Sequence, residues 1–268
     1  MIIPRKALEQ LLMATLREQN INGKSQDQVA GCVLSLSDKR ISTTSIVKDG
    51  KTSLARFSFT VSESYPDEAI PVPDIRRMLG VLKHHDKQLV RLVSDAGKVK
   101  VTSEGKQTTL TGGLDAKAFA NSQHTLEEWS KQALKRAEQI IDGKTYMTLD
   151  KQIVAPFFTA EVDAVELHSA LQCDGMNGQK LNRYKFAVND NTLSVTVGSP
   201  FKGLTEVNLG EYTTDDFEAI YEGGLENVAK YYRGKIKLRF MDFTDYGQGI
   251  RLLLAMENGD WVFQSGVL

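Results

Sequence analysis

The sequence predicts an α+β protein of two similar domains, each with two helices packed on mostly antiparallel sheets. Three observations support this reading. The plan of Ile70 to Gly112 (IPVPDIRRMLGVLKHHDKQLVRLVSDAGKVKVTSEGKQTTLTG) returns in Tyr221 to Gly266 (YEGGLENVAKYYRGKIKLRFMDFTDYGQGIRLLLAMENGDWVFQSG). Each stretch reads as a short amphipathic helix, a basic turn and three strands joined by tight turns, and the few identities make this a repeat of pattern. Segments such as ARFSFTV alternate apolar and polar residues, as strands with one buried face do. A length of 268 residues suits two domains of ordinary size. The predicted division is residues 1–113, a connector over 114–151, and 152–268.

The elements follow in order. Pro4 to Gln19 is predicted as a helix, with proline in its first turn and an apolar stripe of Ala7, Leu8, Leu11, Leu12, Thr15 and Leu16. Asn20 to Gln28 reads as a polar loop. Strands follow at Gly31 to Leu36, Ile41 to Val47 and Ser53 to Val61, with Asp49-Gly50 as a hairpin turn. A helix from Pro73 to about Leu82 has Ile75, Met78, Leu79 and Leu82 as its apolar face. Strands Leu89 to Ser94, Lys98 to Ser103 and Gln107 to Thr111 come next, with turns at Ala96-Gly97 and Glu104-Gly105. The connector holds a helix, Thr125 to Asp142, opened by a Thr125–Glu128 capping box and stopped by Gly143.

The second half restarts with a strand at Phe157 to Val162 and a short helix, Asp163 to Leu171. Strands are predicted at Arg183 to Val188, Thr192 to Val197, Thr205 to Leu209 and Phe217 to Tyr221. The helix Leu225 to Tyr232 and strands Lys235 to Asp242, Gly249 to Glu257 and Trp261 to Gln264 complete the chain.

Composition narrows the class. An apolar share of 41% and a charged share of 25% are those of a globular protein, and no apolar run approaches the ~20 residues of a membrane span. The first residues, MIIPRKALEQLL, lack a signal-peptide core. The expected location is the cytoplasm, or the host cytoplasm for a phage-encoded chain. Cys32 and Cys173 stand far apart in apolar contexts, which favours buried thiols over a disulfide or a metal pair. A net charge of −1 means that any nucleic-acid contact must use positive charge gathered on one face.

Catalytic chemistry has no visible carrier. There is no phosphate-binding GxxxxGK[ST] loop, GxGxxG turn, GxSxG elbow, HExxH helix or paired CxxC. His84-His85 reads as an exposed polar helix end. His168 beside Glu166 reads as a surface histidine, and Glu211 to Glu218 as a solvated acidic loop without calcium-binding spacing. No enzyme activity, cofactor or metal is expected.

The C-terminal run carries a resemblance. GLENVAKYYRG, then KIKLRFMD, then GIRLLLAMENGD and finally WVFQSGVL, resembles the last quarter of a DNA sliding clamp, the proliferating cell nuclear antigen group and its archaeal and phage relatives. IPVPDIRRMLGVLK with LVRLVSD and KVKVTSEG, and ISTTSIVKDGKTSLARFSFTV, resemble earlier parts of the same family. The similarity covers most of the chain except Leu114 to Lys151.

The resemblance implies two domains per chain, three chains in a homotrimeric ring, and six domains around a hole lined by helices. Duplex DNA would pass through it, and a polymerase and a clamp loader would dock on the ring. Candidate DNA-facing residues are Arg5, Lys6, Arg17, Arg76, Arg77, Lys83, Lys230, Arg233 and Lys235; the alternative is that they are ordinary solvated helix faces. Candidate interface strands carry Thr108, Thr109 and Leu110 in one domain and Thr205, Val207 and Leu209 in the other. A pocket for partner peptides would use Ile46, Val47 and Leu54 with Phe263, Gly266 and Val267, unless those residues are core. The connector helix departs from the family's extended connector. A clamp-fold regulatory or assembly protein that does not encircle DNA is the second expectation.

Overall fold

The computed structural model describes residues 1–21, 24–29, 31–37, 39–45, 53–60, 68–95, 98–110, 154–172, 183–199, 203–222, 225–246, 249–264 and 266–267. The chain forms two compact units. The first contains β1 (Ile2–Pro4), α1 (Arg5–Thr15), then, past a ribbon that is grouped with the second unit and described below, β4 (Cys32–Ser37), β5 (Arg40–Ser45), β6 (Ser53–Thr60), β7 (Glu68–Val72), α2 (Ile75–Lys83), β8 (Leu89–Asp95), β9 (Lys98–Ser103) and β10 (Lys106–Leu110). The second contains β11 (Phe158–Asp163), α3 (Ala164–Gln172), β12 (Arg183–Asn189), β13 (Thr192–Ser199), β14 (Gly203–Glu211), β15 (Phe217–Glu222), α4 (Leu225–Tyr231), β16 (Lys235–Met241), β17 (Arg251–Met256), β18 (Trp261–Gln264) and β19 (Gly266–Val267).

The two units share one wiring. The first has strand orders β1-β8-β9-β10 and β6-β5-β4-β7; the second has β11-β16-β17-β18 and β14-β13-β12-β15, extended by β19. The pairing is antiparallel in both, for example Ile2↔Arg91 in the first unit and Glu161↔Lys237 in the second. In both, a backbone N–H at the start of a helix bonds the carbonyl just before a strand: Arg5 to Gln88 at 2.8 Å, and Ala164 to Gly234 at 3.0 Å. Those bonds align the units residue by residue, so that Leu89, Arg91 and Val93 correspond to Lys235, Lys237 and Arg239.

Local chemistry explains the helices. Asp74 is extended, and its carboxylate accepts the Arg77 N–H at 2.8 Å, an N-cap that opens α2. Ile75, Met78 and Leu82 recur at helical spacing and are fully buried, while Leu79 is half-buried. Each fully buried side chain of this kind stabilises the fold by about 1.5–3 kcal/mol. Helix α1 buries Leu8, Leu11, Leu12, Ala14 and Thr15 and packs on α2 and β5. Helices α3 and α4 pack together in the same way.

Several expectations need correction. The first helix ends at Thr15, not Gln19, because Leu16 turns extended at φ −63°, ψ 130°. The Thr15 hydroxyl donates to the Leu11 carbonyl at 2.7 Å and shares a 2.6 Å bond with the Thr43 hydroxyl. The segment read as helix end and loop is instead a two-stranded ribbon, β2 (Arg17–Ile21) and β3 (Lys24–Val29). Arg17 therefore lies on a strand. The short strands β1, β7 and β19 have no counterpart in the sequence reading. The Asp49-Gly50 and Ala96-Gly97 turns, Cys173 and the 125–142 helix lie outside the described residues.

The cores differ in kind. The first unit is mainly aliphatic: Ile3, Leu8, Leu12, Leu34, Leu36, Ile41, Ile70, Val90, Leu92 and Val101 are buried, with Phe57 beside them. The second centres on Phe240, whose ring lies 4.9 Å from Phe217, 5.6 Å from Phe158 and 5.9 Å from Phe186. Tyr184, Tyr221 and Trp261 are also buried there. Cys32 is a buried thiol, and burial pushes its pKa well above the ordinary range. Among the described residues, no helix is long and apolar enough to cross a membrane.

Candidate functional site

Three features of the two units bear on function: the solvent face of the helices, the open sheet edges, and one groove. On the first unit's helices Lys6, Gln10, Met13, Arg76, Arg77 and Lys83 are exposed. The amphipathic pattern of α2 places Arg76, Arg77 and Lys83 away from its buried stripe. Arg5 is different. Its guanidinium bonds Glu9 at 2.9 Å, one turn away, and its Nε is buried without a hydrogen-bond partner among the described residues. The charge of Arg5 is thus partly neutralised within its own helix.

The second unit's helices are nearly neutral. Val165, Glu166, Ser169 and Gln172 are the exposed residues of α3, and Lys230 is exposed on α4, its ammonium 5.5 Å from the Tyr231 ring centre. Arg233 follows α4 and donates to the Lys230 and Tyr232 carbonyls at 3.0 and 2.9 Å, closing the helix C-terminus. Lys235 is not helical; it opens β16 opposite Asp163. The candidate cations therefore gather mainly on α1 and α2.

The candidate interface strands are both edges of their sheets: β10 ends β1-β8-β9-β10, and β14 ends β14-β13-β12-β15-β19. Of the three β10 candidates, Thr109 is exposed, Thr108 is half-buried, and Leu110, 7% exposed, belongs to the core. The Thr108 hydroxyl lies 3.1 Å from His85 Nε2, and His85 Nδ1 lies 2.7 Å from the Ser103 hydroxyl. Lys106 adds a 3.1 Å bond to the His84 carbonyl and a 3.3 Å pair with Asp86.

This clasp corrects the reading of His84-His85 as an exposed end. His84 is exposed, but His85 is 1% exposed. Burial, then the Lys106 ammonium, lowers its pKa below the usual histidine value. Its own backbone N–H, and then Lys106, holds the Asp86 carboxyl low. No sequence signal marks which of two adjacent histidines turns inward, because the partner hydroxyls lie 18 and 23 residues away.

In β14, Thr205 and Val207 are half-buried opposite Val197 and Val195. The register shifts between Leu193 and Ser194, so Leu209 is the additional residue of a bulge. Gly210, at φ 137°, follows it, with its N–H bonded to the Asn208 side chain at 2.7 Å. Edge strands commonly carry such bulges.

The candidate peptide pocket is seen only in part. Ile46 and Val47 lie outside the described residues. Leu54, Phe263 and Val267 fall on β6, β18 and β19. Gly266 has no room for a side chain: a Cβ there would collide with the Ile250 carbonyl oxygen.

A groove of about 630 Å³ runs along β11, lined by Ala155, Pro156, Thr159, Glu161, Tyr212 and the pair Lys237 and Arg239. Sequence reasoning missed it. Its cations alternate along β16, but they line a groove only through the pairing of β11 with β16. Among the described residues, no group of three or more His, Cys, Asp or Glu could hold a metal ion.

No protein-family model and no curated protein matches this chain. Solved structures do match, along its whole length. One is a DnaN sliding clamp (DNA polymerase III subunit beta) from Pseudomonas aeruginosa bound to griselimycin, with a TM-score of 0.61 at 14% identity over 100% of this chain and 64% of that one. DNA polymerase III beta subunit from Thermotoga maritima gives 0.58 at 13%, over 99% and 64%. The DNA polymerase sliding clamp from Bacillus subtilis gives 0.59 at 12%, over 100% and 64%. The chain thus has the sliding-clamp fold, in two clamp-type domains, and spans about 64% of the length of these structures.

Proposed function

We propose that this chain is a non-enzymatic DNA polymerase processivity factor that closes into a ring around duplex DNA. The observation that carries this reading is the repeated wiring: two units of one topology, each with an open edge strand, β10 in the first and β14 in the second. Head-to-tail pairing of β10 with β14 of the next copy would cover both edges, and a closing rotation yields a ring. Three copies supply six units, the number implied by the resemblance.

In that ring the helices face the DNA. Lys6, Arg76, Arg77, Lys83 and Lys230 supply phosphate contacts, with Arg233 beside them. Such contacts carry no base information, which suits a protein that must slide. Topology then holds the polymerase near its template and raises its effective concentration without tight binding. Partner peptides dock near Ile46, Val47, Leu54, Phe263, Gly266 and Val267. An aromatic anchor supplies most of the energy at such a site. A clamp loader opens the ring.

The deciding experiment is primer extension on a long template with the cognate polymerase and loader. Longer products in the presence of this chain are expected; unchanged product length defeats the reading. It would leave a clamp-fold assembly protein, a role that the neutral face of α3 and α4 would suit. A polymerase C-terminal peptide titrated against Val47→Glu and Val267→Glu tests the docking pocket, with at least a tenfold loss expected. Unchanged affinity in folded variants would place docking elsewhere.

A further inference from the structure

The groove beside β11 is a feature that DNA encirclement does not use. Along β16, Lys235, Lys237 and Arg239 stand at alternate positions, opposite Asp163, Glu161 and Thr159 of β11. Lys237 is exposed and Arg239 half-buried, and neither side chain makes an ion pair or hydrogen bond with another described residue. Ala155, Pro156 and the Tyr212 ring form the apolar wall. Tyr212 is fixed: its hydroxyl donates to the Glu161 carbonyl at 2.9 Å, and its ring meets Phe158 edge-on at 5.5 Å.

The fold does not require the full set of these charges: the first unit keeps a cation only at Arg91, the match of Lys237. The matching positions of the first unit are Leu89, Arg91 and Val93, with Leu89 and Arg91 opposite Pro4 and Ile2. The same backbone there carries an apolar corner, with Leu89 55% and Ile2 39% exposed. The ladder is therefore a property of this face of the second unit alone.

We propose that this groove docks an extended acidic peptide. Lys237 and Arg239 lie two residues apart on one strand, about 6.6–6.8 Å along its axis. Carboxylates at alternate positions of an extended peptide repeat at that same spacing. One aspartate or glutamate meets each cation, and an apolar side chain between or beside them rests on Ala155, Pro156 and Tyr212. Apart from the Glu161 carbonyl, which takes the Tyr212 hydroxyl, the β11 edge is unpaired among the described residues and runs alongside, as strand addition needs. A phosphate backbone fits less well, because it has no alternating N–H and C=O groups to pair with the β11 edge. The proposal depends neither on ring closure nor on DNA.

The test uses the full chain at low salt and a fluorescein-labelled peptide, SEFELS, capped at both ends, with SQFQLS as the uncharged control. Fluorescence anisotropy is expected to show saturable binding of SEFELS. The control should bind at least about fivefold more weakly, as should the Lys237→Gln/Arg239→Gln variant, since exposed charge pairs contribute modestly. Lys237→Arg should retain binding, and Val267→Glu should leave it unchanged. Circular dichroism and thermal melting confirm that the variants fold. The proposal is overturned by absence of saturable binding, by equal binding of the double variant, or by loss on Val267→Glu alone. Displacement of the peptide by a twelve-residue oligothymidylate that binds more tightly would assign the groove to single-stranded nucleic acid instead.

Discussion

The two units of this chain are built on one backbone plan with different materials. Arg5 and Ala164 begin their helices with the same hydrogen bond to the loop before a strand, and both strand orders recur. Yet the first unit is filled mainly by leucine, isoleucine and valine, whereas the second is organised around Phe240 and its ring neighbours. The helices of the first unit present Lys6, Arg76, Arg77 and Lys83, while α3 presents Val165, Glu166, Ser169 and Gln172. On the sheet the second unit is the more basic: Lys235, Lys237 and Arg239 stand where the first unit has Leu89, Arg91 and Val93. The plan needs alternation, tight turns and a filled interior. It does not dictate which apolar side chains fill it, and the outward positions are left to specialise.

Truncating the core should produce the largest effects and test whether the two interiors respond alike. Phe240→Ala removes the centre of the aromatic cluster and should cost about 3–5 kcal/mol; Leu12→Ala in the aliphatic core should cost about 2–5 kcal/mol. Denaturant unfolding followed by far-ultraviolet circular dichroism measures both. A loss below about 1 kcal/mol for Phe240→Ala would show that the second interior relaxes around the void.

Glycines sharpen the comparison in opposite directions. Gly266→Ala drives a Cβ against the Ile250 carbonyl and should destabilise the β15–β19 edge by about 1–3 kcal/mol. Gly80, within α2, is exposed, and a Cβ added there would meet nothing within 4 Å. Gly80→Ala should therefore stabilise by about 0.5–1 kcal/mol. Thermal melts of the two variants should shift in opposite senses.

The loops after α2 and α4 are held by different chemistry. His85 grips Ser103 and Thr108, whereas the Tyr232 hydroxyl accepts the Glu257 N–H at 3.1 Å. His85→Ala should cost about 1–3 kcal/mol by leaving the buried Ser103 and the half-buried Thr108 without their partner. The sign of the pH effect follows from its lowered pKa. The unfolded chain takes up the proton first, so stability is complete above about 6.5, the ordinary value, and falls as pH drops through the folded value. Unfolding free energies from about pH 8 to about pH 5 should show this slope in the parent and a shallower one in His85→Asn.

The smallest effect is expected on the helix faces. Arg76→Ala and Arg77→Ala should each reduce the log–log salt slope of duplex binding by about 0.9, equally on any sequence. Glu166→Gln on α3 should leave that slope within about 0.3 of the parent. Equal changes from both faces would erase the functional difference between the units.

The local elements and their repetition were legible in the chain without any tertiary information. The strands β9 and β12 follow from alternation, α2 from Asp74 and the spacing of Ile75, Met78 and Leu82, and the β12–β13 turn from Asp190 and Asn191, which adopt φ 48° and 64°. Those signals lie within a few residues and need no distant partner. The basic character of α2 was legible for the same reason. Long-range pairing set the remainder. Ile2–Pro4 is a strand only because β8, far along the chain, offers Leu89 to Arg91 as its partner. The first helix stops at Thr15 where its hydroxyl meets Thr43. His85 turns inward because Ser103 and Thr108 converge on it. Lys237 and Arg239 become one wall of a groove only when β16 lies beside β11. Pairing brings together residues far apart in the chain, and the energy of each contact depends on a partner that no local pattern names.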